Sequence, residues 1–130
     1  MTESGKALIL VVDDMPEVGQ LVKMFVESAG YEVMTALDPK EALEQAGARP
    51  PDLVICDVVL PSMMGWDLCL KLKQLASPRY LPVIMLTAKA TELDEMRSFE
   101  AQADEHFSKP PDFKKLIAAV GKHLAAQGAH

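Results

Sequence analysis

No apolar run in this chain approaches the roughly 18 residues that a membrane span requires. Continuous stretches such as Ala7–Val12 and Leu53–Cys56 stop at aspartates. The opening residues Met1 to Lys6 lack a secretory profile, because the apolar segment behind them is too short. Positive charge is scarce: 13 Lys and Arg stand against 19 Asp and Glu, a net charge of -6. That balance argues against a nucleic-acid surface or an anionic membrane as the main partner. Cysteine is limited to Cys56 and Cys69. Both sit in apolar segments without metal-site spacing, so they read as buried thiols in a reducing cytosol. Glycines are missing after the first apolar run, where Asp13-Asp14-Met15-Pro16 would repel a phosphate instead of cradling it. A nucleotide- or flavin-binding loop is thereby disfavoured. Internal repeats, low-complexity tracts and a linker long enough to divide domains are also lacking.

What remains is a chain of 130 residues, 49% of them hydrophobic. That is ample for one packed domain over residues 1–130, with its core at about 6–124. Ala7–Val12 predicts a strand. Pro16 suits a helix start, and Val18, Leu21, Val22, Phe25, Val26 and Ala29 mark its inward face, with Gly30 as the C-terminal cap. Glu32–Ala36 predicts a second strand. Asp38 caps a second helix, with Glu41 placed to complete a capping box and Ala42, Leu43 and Ala46 facing inward. Leu53 to Asp57 predicts a strand buried on both faces, stopping near Pro61. A third helix follows Gly65 through Leu68, Leu72 and Leu75. Leu81–Leu86, closed by Thr87, predicts strand four. Thr91 begins a fourth helix bearing Leu93, Met96 and Phe99. Glu105–Ser108 predicts strand five, and Asp112 caps a last helix with Phe113, Leu116, Ile117, Val120 and Leu124 on one face.

Strand alternates with helix five times, and helical crossovers impose parallel pairing. The expected fold is α/β: a five-stranded parallel sheet in the order 2-1-3-4-5, with helices on both faces. In such sheets chemistry sits outside the carboxyl ends of the strands. Asp13 and Asp14 finish strand one, Asp57 strand three, Thr87 strand four and Lys109 strand five. Adjacent strands lie roughly 4.8 Å apart, so five polar groups converge on one shallow cleft. Three carboxylates together repel, and a hard divalent cation relieves that repulsion. Lys109 adds a positive charge on the far side. Carboxylates, an ammonium and a hydroxyl around one nucleophilic Asp suit phosphoryl transfer, which asks for positioning and neutralised oxygens.

The motifs Val11-Val12-Asp13-Asp14, Asp57 to Gly65, Leu86-Thr87-Ala88 and Ser108-Lys109-Pro110 resemble a receiver domain of the two-component response-regulator family, with its flavodoxin-like fold. The likeness runs from about Lys6 to Leu124. It implies that Asp57 accepts a phosphoryl group from a histidine kinase or phosphotransfer protein. It implies Mg2+ bound by Asp14, Asp57 and the Val59 carbonyl, with Asp13 acting through water. Thr87 and Lys109 would grip the phosphoryl oxygens, and the bond before Pro110 would be cis. The chain would be a cytoplasmic signalling module and not a turnover enzyme, catalysing only its own phosphorylation and dephosphorylation. The helix 4, strand 5 and helix 5 face would change for a protein partner or a homodimer, with no direct nucleic-acid or membrane contact.

Three positions depart from the family pattern. His106 stands where Tyr or Phe is usual; it is either a switch imidazole working with Thr87 or an exposed polar residue on an edge strand. Gln102 replaces a usual Gly, and Pro111 a common Phe. Lys89 reads as a solvated charge at a helix start, and Trp66 as packing. Val59 cannot position a water through its side chain, so self-hydrolysis of a phosphoaspartate is expected to be slow. The rival function is a magnesium-dependent phosphohydrolase working through an aspartyl-phosphate. Haloacid-dehalogenase-like phosphatases need an acid-base Asp two residues after the nucleophile, and here that residue is Val59.

Overall fold

Five short runs of aliphatic residues become the strands, and the stretches between them become helices that cover both sheet faces. The computed structural model describes residues 5–87, 103–109 and 111–128. In chain order the elements are β1 (Leu8–Val12), α1 (Pro16–Ser28), β2 (Glu32–Ala36), α2 (Pro39–Ala48), β3 (Leu53–Asp57), α3 (Gly65–Ala76), β4 (Val83–Thr87), β5 (Glu105–Ser108) and α4 (Phe113–Gly128). The helix expected to begin at Thr91 lies outside the described residues, as do Lys89, Gln102 and Pro110; α4 is the last of the expected helices.

The sheet has the order β2-β1-β3-β4-β5, and every neighbouring pair is parallel. Every residue of β1, β3 and β4 is buried, whereas the edge strands β2 and β5 are only partly covered. Central strands need apolar side chains on both faces, and edge strands do not. Alternation along each strand sorts the core into two layers. Ile9, Val11, Ile55, Ile84 and Leu86 pack with Val22 and Val26 of α1 and Leu116 and Val120 of α4. Leu10, Val12, Val54, Cys56 and Met85 pack with Ala42 and Ala46 of α2 and Leu68 and Leu72 of α3. Both cysteines are free and buried in that second layer. Among the described residues no helix is long and apolar enough to cross a membrane.

Several local features follow their residues closely. Gly30 takes φ +101°; its N–H donates to Glu27 O, and the Tyr31 N–H to Val26 O. Those two bonds close α1 in the pattern that a left-handed glycine permits. Asp38 Oδ1 accepts from the Glu41 N–H at 2.8 Å, capping α2. The Glu41 carboxylate does not return to the Asp38 N–H as a capping box would; it accepts from Leu37 N–H at 3.4 Å. Asp112 Oδ1 accepts from Lys115 N–H at the start of α4.

The inward face of α1 is narrower than its periodicity suggests. Only Gly19, Val22 and Val26 of α1 are buried, while Leu21, Phe25 and Ala29 are exposed. Phe25 instead stacks on Phe113 of α4, with ring centroids 4.1 Å apart. Leu75, in the last turn of α3, is likewise exposed. Spacing marks a stripe; how much of it is covered depends on where the sheet ends beneath it.

Two polar ties hold β5 against its neighbours. At its start, Asp104 Oδ2 accepts from Val83 N–H at 2.8 Å and pairs with Lys73 Nζ at 3.2 Å, while Oδ1 accepts from the Tyr80 hydroxyl. Further on, Glu105 Oε1 meets Lys122 Nζ of α4 at 3.0 Å and His123 Nε2 at 3.4 Å. Burial alone would raise the Glu105 carboxyl, but the Lys122 and His123 contacts outweigh it and hold it below its ordinary range. A carboxyl lowered on folding adds stability that is complete above its unfolded pKa and is lost as pH falls through the folded one. Glu105→Gln should therefore cost about 0.5 kcal/mol at neutral pH, as a largely solvated pair does. Urea unfolding should show that gap at roughly pH 7 and its closure by roughly pH 3, below the ordinary Glu range.

Candidate functional site

The parallel register carries the polar strand ends to one edge. Val12 pairs with Cys56, so Asp13 follows β1 beside Asp57, the last residue of β3. Asp57 pairs with Leu86, which sets Thr87 one residue further along β4. Thr87 pairs with Ser108, and the Lys109 N–H continues the ladder by donating to Thr87 O at 2.7 Å. Asp13, Asp57 and Thr87 are the buried polar residues among those described. Asp14 is exposed at the rim.

Carboxylate oxygens of Asp13, Asp14 and Asp57 lie within 4.8 Å of one another. The expectation that Lys109 sits on the far side of the cleft is corrected. Its ammonium lies between two of the carboxylates, 2.6 Å from Asp13 Oδ2 and 2.9 Å from Asp57 Oδ2. A lysine leaving β5 on the Asp57 side of the sheet has the reach to cross β4, and the buried carboxylates draw it in. The remaining oxygens are also engaged. Asp13 Oδ1 accepts from Met15 N–H at 2.9 Å, and Asp57 Oδ1 from Val59 N–H at 3.3 Å.

Burial pushes the Asp57 carboxyl above its ordinary range, and Asp13 adds to the rise; the Lys109 hydrogen bond opposes it without cancelling it. For Lys109 the balance runs the other way. Burial would lower its ammonium, but the bonds to Asp13 and Asp57 dominate, and its pKa is raised. Desolvation leads at Asp57, whereas at Lys109 the two carboxylates prevail over it. Three carboxylates face one ammonium at this edge. A set of hard oxygen donors with uncompensated negative charge fits a divalent cation of the magnesium type.

The loop after Asp57 is tightly folded. Val59 and Met64 form an antiparallel bridge, Ser62 turns the chain at φ +65°, and Gly65 N–H donates to Val58 O at 2.6 Å. Val59, two residues past Asp57, is 60% exposed. Trp66 packs partly buried against the α2 and α3 layer. His106 pairs with Met85 on β4 and is half-buried, not exposed, and its Nε2 is buried with no hydrogen-bond partner among the described residues. One contact had no signal in the sequence: the Cys56 thiol, buried and pushed well up by desolvation, donates to Asp57 O at 3.3 Å.

Residues 9–121 match the family described as the response regulator receiver domain. The chain is 41% identical over 112 residues to the alkaline phosphatase synthesis transcriptional regulatory protein PhoP of Bacillus subtilis, covering 86% of this chain and 46% of that one. It is 35% identical over 112 residues to the DNA-binding dual master transcriptional regulator RpaA of Synechocystis, with the same two coverages. The chain thus spans about half the length of these curated relatives. Among solved structures, a CheY-like receiver domain protein from Methanospirillum hungatei superposes with a TM-score of 0.88 at 30% identity, covering 96% of this chain and 98% of that one. A response regulator from Chloroflexus aurantiacus gives 0.86 at 36% identity, with 92% and 98% covered.

Gly65 is where this site is most sensitive to one added atom. A Cβ there would overlap the backbone carbonyl of Asp57 and lie 2.9 Å from Met85 Cε. The carbonyl belongs to a fully buried strand and cannot retreat without moving Asp57 itself. Gly65→Ala should cost about 2 kcal/mol or more, at the severe end of overpacking. Urea unfolding would measure it, and a variant as stable as the parent would show that the loop gives way.

Proposed function

The chain belongs to the response regulator receiver domain family, and from that premise we propose that Asp57 is the residue on which it is reversibly phosphorylated. One observation carries the proposal: Asp57 ends a central parallel strand, buried, with an ammonium 2.9 Å from Oδ2 and two further carboxylates in reach of a shared cation. The donor is a phosphohistidine on a histidine kinase or phosphotransfer protein. An Asp57 oxygen forms the new P–O bond as the P–N bond to the donor imidazole breaks, and the imidazole keeps the bonding pair and takes up a proton. Lys109 and the Thr87 hydroxyl hold the phosphoryl oxygens, whose charge is what such a reaction must neutralise. Asp14, Asp57 and the Val59 carbonyl would hold Mg2+, with Asp13 acting through water. The ion supplies neutralisation of the phosphoryl charge.

Output is proposed to run through β5, α4 and the segment expected as helix four, with Thr87 and His106 coupling the site to that face. Phosphorylation adds about -1.5 to -2 charges there. The reader is a protein partner or a second copy of the chain. A net charge of -6 disfavours nucleic acid on this chain's own surface. Free, buried thiols fit a cytoplasmic location. A turnover phosphohydrolase is the weaker reading, because Val59 offers no acid-base group two residues beyond the acceptor.

Incubation with acetyl phosphate and Mg2+ should add one phosphoryl group by intact-mass spectrometry, and Asp57→Asn should add none. Equal loading of the variant would place the acceptor elsewhere. With an exposed aliphatic side chain at position 59 and nothing there to orient water, the phosphorylated protein should lose phosphate over minutes or longer. A half-life of seconds, followed by radiolabel or mass, would favour the hydrolase reading.

A further inference from the structure

At the edge of the sheet opposite Asp57, one contact occurs twice. Asp52, just before β3, donates its N–H to Leu8 O at 2.7 Å and accepts the Leu8 N–H on Oδ2 at 2.8 Å. Asp104, just before β5, donates its N–H to Val83 O at 2.8 Å and accepts the Val83 N–H on Oδ2 at 2.8 Å. Each aspartate thus holds both backbone polar groups of the first residue of a neighbouring strand, β1 in one case and β4 in the other. Each also stands five residues before a side chain of the site, Asp52 before Asp57 and Asp104 before Lys109.

The two strands differ in what else fixes them. β3 pairs on both sides and is wholly buried, and burial already specifies its register. β5 has four residues, pairs with β4 alone and is only partly covered. Backbone ladder bonds form in any register, and register is weakly specified where burial does not select it. A side-chain contact, in contrast, is specific to one register. Among the described residues, two such ties hold β5 outside the Asp57 cleft. Glu105 reaches Lys122 and His123 of α4, but Lys122 is 68% exposed, and a pair so solvated is weak. Asp104 is the stronger tie. It pairs with Lys73 at 3.2 Å, the Lys73 and Asp104 side chains are only 10% and 13% exposed, and its other oxygen accepts from the Tyr80 hydroxyl. Lys73 is itself held, by Leu81 O at 2.7 Å and over the Tyr80 ring.

We infer that Asp104 is a positioning residue for the Asp57 site: by locking the start of β5 to Val83, it sets the register that brings Lys109 to the carboxyl end of the sheet. The inference rests on the proposed phosphorylation of Asp57. Asp104 lies at the far end of β5 from Lys109 and acts through the strand. From Asp104 the ladder runs through Ile84–Glu105, Met85–His106, Leu86–Phe107 and Thr87–Ser108, and ends on the Lys109 N–H bonded to Thr87 O at 2.7 Å. A strand this short, fixed at its start, carries that placement to its end. Misplacing a catalytic group by about 1 Å can cost on the order of 100-fold in rate. Asp52 makes the same contact for a strand whose burial already fixes it, so Asp52 serves stability and not the placement of Lys109.

The test compares Asp104→Ala, Asp104→Asn and Asp52→Ala with the parent in the full chain, under conditions where each is folded. Phosphorylation by saturating acetyl phosphate with Mg2+ is timed by intact mass. Asp104→Ala should slow it about tenfold or more. Asp104→Asn, which keeps an oxygen for the Val83 N–H, should recover most of the rate. Asp52→Ala should lose stability yet phosphorylate as the parent does. A second readout needs no phosphate: the scalar coupling across the hydrogen bond from Lys109 N–H to Thr87 O should be lost in Asp104→Ala and kept in Asp52→Ala. A parent-like rate, or a coupling kept intact, in Asp104→Ala overturns the inference, as does equal slowing in the two alanine variants. If the parent takes no phosphoryl group, the reading of Asp57 falls and the coupling alone decides the positioning. If Asp104→Ala does not fold, Tyr80→Phe decides, since it removes one hydroxyl at a half-exposed residue. Protection of the Val83 and Lys109 amides from hydrogen exchange should then fall together, and a fall at Val83 alone overturns the inference.

Discussion

Three strands are held at one edge by a single ammonium between two buried carboxylates, and the functional end of this molecule depends on that contact. Lys109 follows β5, Asp13 follows β1 and Asp57 ends β3. Burying such charges is costly unless they are paired and hydrogen-bonded. Here they are paired, yet three carboxylates outnumber one ammonium, and burial still pushes Asp57 up. The site is electrostatically unfinished by design of its composition. Excess negative charge of this kind is relieved by an added cation, whereas a fully neutralised site would gain nothing from one.

The sheet makes that arrangement possible and leaves its own signature in the sequence. β1, β3 and β4 were legible because a strand buried on both faces must read as an unbroken apolar run, and Leu53–Cys56 has no other use. The strand order followed from the parallel crossovers, and the shared edge followed from the order. Asp57, its two acidic neighbours, Thr87 and Lys109 could thus be brought to one edge from strand ends alone. What strand ends do not reveal is how far a side chain leans. Lys109 belongs to a flexible four-carbon stem, and only the positions of Asp13 and Asp57 settle that it crosses β4 to lie between them.

Other features escaped for related physical reasons. Leu21 and Phe25 share the helical period of Val22 and Val26, but period says nothing about where the cover stops: both are exposed, and Phe25 stacks on Phe113 instead of on the sheet. The Asp104 tie joins Lys73 and Val83, partners 31 and 21 residues away, with no local pattern to announce them. Gly65 stood in a recognisable motif, yet the reason for a glycine is tertiary: the Asp57 carbonyl occupies the place of its Cβ. His106 could be placed on an edge strand from sequence, but not the fact that its Nε2 is buried there.

The same crowding that forbids a side chain at position 65 also ties the loop after Asp57 to the edge of the sheet. Met85 Cε closes on Gly65 from one direction, and Met85 pairs with His106 of β5 from the other. All of β4 is buried, and close-packed interiors pass displacement from one residue to the next instead of absorbing it. A shift of the loop at Gly65 therefore presses on Met85. The His106 Nε2, buried without a hydrogen-bond partner among the described residues, contributes no polar contact to hold the ring, and the residue is fixed through the ladder to Met85. Close packing thus joins the loop after Asp57 to β4, and the parallel ladder joins β4 to β5.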